Sequence, residues 1–266
     1  MPQARLSRTA RRGLARAHER DAVAPVVPWP QLVRRLRAQI EPGEHVTIVG
    51  PTGAGKSTVL VELAEMFPDV CLVVTKRRDE LLSSLRRRGW TIERDISALY
   101  RPRLSFIERY YGAQAAPMRV VFWPRPGSTI KATRKAQAEQ VRALLDWAHG
   151  RGRVAVGIDE AMYAVEDLKL SAELRTLWHE GRASGISLLA ASQRPAWLPK
   201  SAYSSPTYLV MFRSNDPDDL KRLADIGGAI DPKPLGRELR LLHRHEFLLV
   251  EPRRQPPRIT RSRVDV

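Results

Sequence analysis

Gly50, Gly55, Lys56 and Ser57, within "IVGPTGAGKSTVL" at 48–60, fit the spacing G-x-x-x-x-G-K-[ST] between an apolar run and a helix-like stretch. That spacing suits a chain of phosphates. The turn Gly50, Pro51, Thr52, Gly53, Ala54, Gly55 aims backbone amides inward, and the positive end of the following helix, from Lys56 through Ser57 and Thr58, adds to the field. Lys56 is expected to reach the terminal phosphates of ATP, and the Ser57 hydroxyl to ligate Mg2+. An incidental glycine turn is the competing reading, and the flanking strand and helix weigh against it.

A second constellation follows the apolar run in "VAVGIDEAMY", which leads directly into Asp159 and Glu160. An aspartate at a strand end can hold magnesium, and a glutamate beside it can orient and deprotonate a water. A dedicated second carboxylate suits hydrolysis, whereas a kinase keeps water from the γ-phosphate. The pair Asp79-Glu80 is separated from its strand by "TKRR" and is read as a solvated turn. In "GISLLAASQRP" a third apolar run ends at Ser192 and Gln193, whose neutral amide could contact both γ-phosphate and lytic water.

These groups need strands that end together. Apolar, β-rich runs at 45–49, 70–74, 119–123, 153–158, 186–191, 207–212 and 246–251 predict strands, and helices follow most of them. Val141, Leu144, Leu145 and Ala148 share one face of a helix over 130–149, and Leu170, Leu174, Leu177 and Trp178 repeat the pattern. Asn215 or Asp216 can cap a helix opening at Pro217. The alternation predicts an α/β fold, a mostly parallel sheet with helices on both faces. Residues 76–118 are less regular and read as a surface insertion.

The chain of 266 residues carries a formal charge of +16, which points to a polyanionic partner or an anionic membrane surface. Only 8 of its 45 basic residues are lysine, so coding bias contributes to the arginine content, though it would not unbalance the acids. Residues 1–25, with Arg5, Arg8, Arg11, Arg12, Arg16 and Arg20, read as a flexible basic arm, residues 26–251 as one globular domain, and residues 252–266 as a basic tail. Cys71 is the single cysteine, which excludes an intramolecular disulfide and a cysteine zinc site and suits a reducing compartment. No apolar run approaches a membrane span, so a soluble, cytoplasmic protein without an integral membrane segment is expected, or a virion-associated one if the source is viral. His243 and His245 alternate along an expected strand but lack a third ligand, and Tyr110, Tyr111, Trp123 and Trp197 read as packing residues sooner than base-stacking ones.

"GPTGAGKST", "VAVGIDEA" and above all "GRASGISLLAASQRP" resemble the FtsK-HerA superfamily of P-loop ATPases, ring-forming motors that move DNA. The resemblance covers about residues 45–250 at motif level. It implies a RecA-like sheet with the Gln193 strand between the cradle strand and the acid-pair strand. It also implies a homo-oligomer, often a hexamer, with ATP at subunit boundaries and an arginine supplied by the neighbour, for which Arg182 and Arg213 are the candidates. Arg194 is assigned to bracing the sensor region. Many members end the second strand in an Asp-Pro-Lys-like sequence, where this chain has Thr75-Lys76.

The function expected is an ATP-hydrolysing DNA translocase, of genome-packaging or DNA-transfer type, gripping DNA through backbone contacts without reading sequence. A small-molecule phosphotransferase would explain Lys56 and Ser57 but not Glu160, Gln193 or the basic arms. A non-catalytic, nucleotide-dependent DNA-binding or assembly protein is the other alternative.

Overall fold

Runs of Val, Ile, Leu and Ala too short for helices pair side by side, and the amphipathic stretches between them cover the result. The computed structural model describes residues 24–76, 80–101, 115–226 and 230–265. In chain order its elements are α1 (Trp29–Arg37), β1 (Val46–Val49), α2 (Lys56–Ala64), β2 (Asp69–Val73), α3 (Glu80–Arg87), β3 (Thr91–Glu93), β4 (Met118–Phe122), α4 (Ile130–Arg151) and β5 (Ala155–Ile158). There follow α5 (Ala161–Glu166), α6 (Ser171–Glu180), β6 (Ser187–Ser192), α7 (Ser201–Ser204), β7 (Tyr208–Phe212), α8 (Pro217–Lys221), α9 (Pro232–Leu241), β8 (Glu246–Glu251) and β9 (Arg258–Arg263).

The strands form one sheet in the order β3-β4-β2-β5-β6-β1-β7-β8-β9. All neighbours from β3 to β7 are parallel, and β8 and β9 are antiparallel additions. The central strands are sandwiched. Cys71, Val73, Leu188 and Ala190 face one buried layer with Val141, Leu144, Leu174, Leu177 and Trp178. Val70, Leu72, Leu189 and Ala191 face the other with Leu32, Leu36, Val59, Leu60 and Leu63. Full burial of each valine, leucine or isoleucine side chain among these contributes about 1.5–3 kcal/mol. The helix faces expected around Val141 and Leu174 are the ones buried. Asp216 caps α8, accepting from the Asp218 amide at 2.9 Å, with Pro217 in first position.

Two expectations need correction. The stretch beyond Glu251 is not a free tail, because β9 pairs with β8 over six residues, from Glu246↔Arg263 to Glu251↔Arg258. The buried positions of β9 are Thr260 and Ser262 instead of aliphatic residues. Ser262 Oγ donates to the Val27 carbonyl at 2.7 Å, so the inward-facing groups are satisfied by hydrogen bonds and leave no apolar period in the sequence. Residues 76–118 are not wholly an insertion either, since β3 extends the sheet beside β4 and Trp90 is buried with its Nε1 donating to Glu65. Residues 1–23 of the expected arm, together with Asp79, Tyr110 and Tyr111, lie outside the described residues.

Candidate active site

Parallel strands end at one edge, so the residues following β1, β2, β5 and β6 meet there. The register makes the meeting close: Val49 is level with Ser192, and Ile158 is level with both Ala190 and Val73. β6 lies between β1 and β5, the order implied by the family resemblance.

The turn from β1 into α2 needs glycine at both ends. A Cβ on Gly50 would come within 2.5 Å of the Phe212 Cβ on β7. Gly55, the residue before α2, has φ 105°, a left-handed conformation costly for other residues. Amides of the first turn of α2 have no partner within the helix and are offered to the turn it closes. Lys56 is 7% exposed and its Nζ donates to the Pro51 carbonyl at 2.8 Å, which lays the ammonium across the mouth of the turn. Burial lowers its pKa from the ordinary lysine value and Lys76 adds to that, while the carboxylates of Glu160 and Asp159 oppose it. A poorly hydrated cation facing an anion-shaped cradle gives up little water on binding phosphate. Thr58 is half-buried in α2, and Pro51, Thr52 and Gly53 are exposed.

Across the edge, Ser57 Oγ donates to Asp159 Oδ1 at 2.6 Å, and Asp159 is 5% exposed. Thr52 Oγ1 donates to Gln193 Oε1 at 2.8 Å, and Gln193 Nε2 donates to Glu160 Oε1 at 2.6 Å. One amide therefore ties the phosphate turn to the second carboxylate. Lys56, Ser57, Asp159, Glu160 and Gln193 are gathered at a single place.

The two arginines are separated. Arg213 follows β7 and lines a cleft of about 530 Å³ with Gly50, Pro51, Thr52, Gln193 and Arg194, beside its own cradle. Arg182 precedes β6 and is exposed at the opposite edge, where its carbonyl crowds Gly43 just ahead of β1. The length of β1 lies between it and its own Gly50. Arg194 pairs with Asp216 at 2.9 Å and joins the loop after β6 to the start of α8. Asp219 reinforces that joint, accepting from the Ala196 amide and Ser214 Oγ.

Three participants were not legible. Lys76 Nζ lies 3.0 Å from Glu160 Oε1, and a lysine after a strand carries no signal for that partner. Thr52 was read only as part of the turn, although its hydroxyl holds Gln193. His245, expected on a strand with His243, lies with it in the turn before β8, and its Nδ1 is 3.2 Å from the Ala54 carbonyl of the cradle. Among the described residues no cluster of three or more His, Cys, Asp or Glu side chains could hold a metal. No described helix is long and apolar enough to cross a membrane.

A family model for the ABC transporter matches residues 33–155, which include the cradle and stop short of Asp159. The sulfate/thiosulfate import ATP-binding protein CysA of Gloeobacter violaceus is 23% identical over 201 residues, 73% of this chain and 54% of that protein, so the chain spans about half the length of this relative. Among solved structures, the genome packaging NTPase B204 of Sulfolobus turreted icosahedral virus 2, in complex with AMPPCP, gives a TM-score of 0.58 at 16% identity, covering 85% of this chain and 100% of that one. Its ATP-gammaS complex gives 0.57 at 17% identity, covering 85% and 100%. VirB4 of Thermoanaerobacter pseudethanolicus gives 0.56 at 15% identity, covering 84% and 89%. With nucleotide turn, acid pair and strand-end amide converging on one edge of such a sheet, the chain has a P-loop NTPase fold similar to that of the packaging NTPase B204 and of VirB4.

Proposed function

We propose that the chain hydrolyses MgATP and couples the hydrolysis to movement of DNA through a homo-oligomeric ring, a hexamer by family resemblance, in packaging or transferring a genome inside a cell or at a virion. The observation that carries the hydrolytic half is the run of contacts from Thr52 through Gln193 to Glu160, which places a carboxylate beside the phosphate turn and next to the residue paired with Ser57. Ser57 Oγ and Asp159 Oδ1 are two hard oxygens 2.6 Å apart, a donor set that fits Mg2+ completed by phosphate and water oxygens. The metal, when bound, offsets negative charge between the β- and γ-phosphates.

The chain's own residues supply the rest. Amides of the turn and the Lys56 ammonium hold the phosphates and balance the charge that gathers on the transferred phosphoryl group. Glu160 accepts a proton from a water as its oxygen bonds to the γ-phosphorus, and ADP leaves with the electrons of the broken P–O bond. Gln193, tied to Thr52 on one side and Glu160 on the other, aligns the carboxylate with the γ-phosphate end of the turn. Arg182, a strand's length from its own cradle, is suited to serve a neighbour's, whereas Arg213 is suited to serve its own.

The formal charge of +16 and the similarity in fold to a genome packaging NTPase support DNA as the partner. The test is ATP turnover against DNA at low and high salt. Stimulation at low salt that fades steeply as salt rises is expected. Turnover indifferent to DNA at low salt would remove the motor and leave a bare ATPase, and phosphate passed to an added acceptor instead of water would make the chain a phosphotransferase.

A further inference from the structure

α9 carries a line of cations that the site at the sheet edge does not use. The helix opens at its cap Asp231, whose carboxylate accepts the Lys233 amide at 2.9 Å, and it turns Leu235 and Leu239 into the core. Glu238 is buried as well, 6% exposed. Lys233, Arg237 and Arg240 are all exposed. Their spacing, i, i+4 and i+7, sets them in one line along the helix. Arg244, exposed in the turn after the helix, extends the series.

The protein does not neutralise this line. Among the described residues none of the four cations has a carboxylate within ion-pair distance, whereas Arg88 is paired with Glu62 and Glu65, and Arg142 with Glu173. The acids nearest in sequence are otherwise engaged, Asp231 as the cap and Glu238 by burial. Like charges three and four residues apart on a helix repel, and an external polyanion relieves the repulsion. From Lys233 to Arg240 the helix rises about 10 Å at 1.5 Å per residue, the axial length of about three phosphates on one DNA strand.

The helix is also joined to the nucleotide site. Beyond its carboxyl end, the His245 ring lies 3.2 Å from the Ala54 carbonyl of the cradle. On its inner side, Leu239 shares a small crevice with Val49, Gly50, Asp219 and Leu223. Asp219 in turn holds the Ala196 amide, in the loop after Gln193. A pull on α9 is therefore passed to the phosphate turn and to the loop beside it.

We infer that the Lys233, Arg237 and Arg240 face of α9 is a DNA-binding surface, with each cation on one backbone phosphate and Arg244 continuing the track towards the cradle. This rests on DNA being the partner proposed above. An anionic membrane suits the face less well, because the apolar side of α9 is buried in the core and Leu241 is the one large apolar residue exposed on the helix.

The test measures binding of the full-length chain to fluorescent duplex DNA over a range of salt concentrations. For Arg237→Gln/Arg240→Gln the slope of log K against log salt should be smaller than wild type's by about two, one for each phosphate contact removed. Arg86→Gln/Arg87→Gln takes the same charge from the exposed end of α3 and should leave the slope unchanged. Arg237→Lys/Arg240→Lys, which keeps both charges, should restore it. ATP turnover without DNA should match wild type in all three, which shows that they are folded. If Arg237→Gln/Arg240→Gln loses that turnover, Arg237→Gln alone carries the test, with a shift of about one. A wild-type slope in Arg237→Gln/Arg240→Gln overturns the surface, and so does an equal fall in Arg86→Gln/Arg87→Gln, which would reduce the binding to net charge. Loss of binding to phosphatidylserine vesicles with the DNA slope intact would give the face to a membrane instead. If the wild-type chain itself does not bind DNA, the proposed partner fails, and the surface with it.

Discussion

The two edges of the parallel strands put their polar side chains to opposite use. At the carboxyl edge, Lys56, Lys76, Asp159 and Glu160 bring charges together around a turn, and their contacts are mostly with one another. At the amino edge, polar groups hold neighbouring stretches of backbone together. His45 is 2% exposed, its Nδ1 accepts from the Leu188 amide at 3.0 Å, and its carbonyl accepts from the amides of Thr207 and Tyr208. Ser187 Oγ accepts from the Gly43 amide at 2.9 Å, and Arg253 donates to the Ser205 carbonyl at 2.6 Å. Helices that follow parallel strands begin at the carboxyl edge, so their positive ends and unpaired amides face that side alone. Anion chemistry gathers there, and the amino edge is left to hold the strands in register.

The sharpest way to break the contrast is to empty the carboxyl edge one group at a time. Lys56→Ala should lower ATP turnover by roughly a thousandfold or more, because it removes the charge facing the transferred phosphoryl group. Glu160→Gln should lose on the order of a hundred- to ten-thousandfold while ATP remains bound, since the amide keeps the shape but takes no proton. Nucleotide binding measured beside single-turnover hydrolysis separates the two, and a Glu160→Gln chain that fails to bind ATP would contradict the division of labour.

In the proposed ring the amino edge enters catalysis across a subunit boundary. Arg182→Ala should reduce turnover by about a hundredfold or more, and mixing it with Lys56→Ala should restore part of the activity. In the mixture one subunit offers an intact cradle and its neighbour an intact Arg182. Arg213 lies beside its own cradle, so Arg213→Ala mixed with Lys56→Ala should recover nothing. Recovery in the second mixture and not in the first would exchange the roles of the two arginines.

The smallest effect is one of stability. Burial, reinforced by Arg253 and Arg182, pushes the His45 pKa down to about 4 from an ordinary 6.5. The unfolded chain therefore takes up the proton first as pH falls, and the stability that neutral His45 contributes is full above about 6.5 and lost on the way to 4. Urea unfolding should give about 2 kcal/mol less stability at pH 5 than at pH 7 from this group. His45→Asn, which keeps an acceptor for the Leu188 amide, should flatten that slope. A slope unchanged in the variant would assign the pH response to other groups.

The cradle was readable because its parts are contiguous: glycines, lysine and serine lie within one turn of chain, and local geometry needs nothing distant. Strands β1, β2, β4, β5, β6, β7 and β8 were readable because burial on both faces leaves an apolar run with few polar interruptions. β9 escaped because its inward positions are polar and satisfied, and β3 because three residues carry no period. Lys76 escaped for another reason, since its partner is set by strand order: β2 lies next to β5, and residue type alone announces neither.

Amino-acid order by itself determined which segments could turn around phosphate, end in a carboxylate or end in an amide, because each is a property of a few neighbouring residues. Only the tertiary structure decided that Gln193 bridges Thr52 to Glu160, that Lys76 reaches the same carboxylate, and that Arg182 and Arg213 stand at opposite edges. Those relations depend on which strands lie side by side and in what register, and both are settled by burying the two faces of the whole sheet at once.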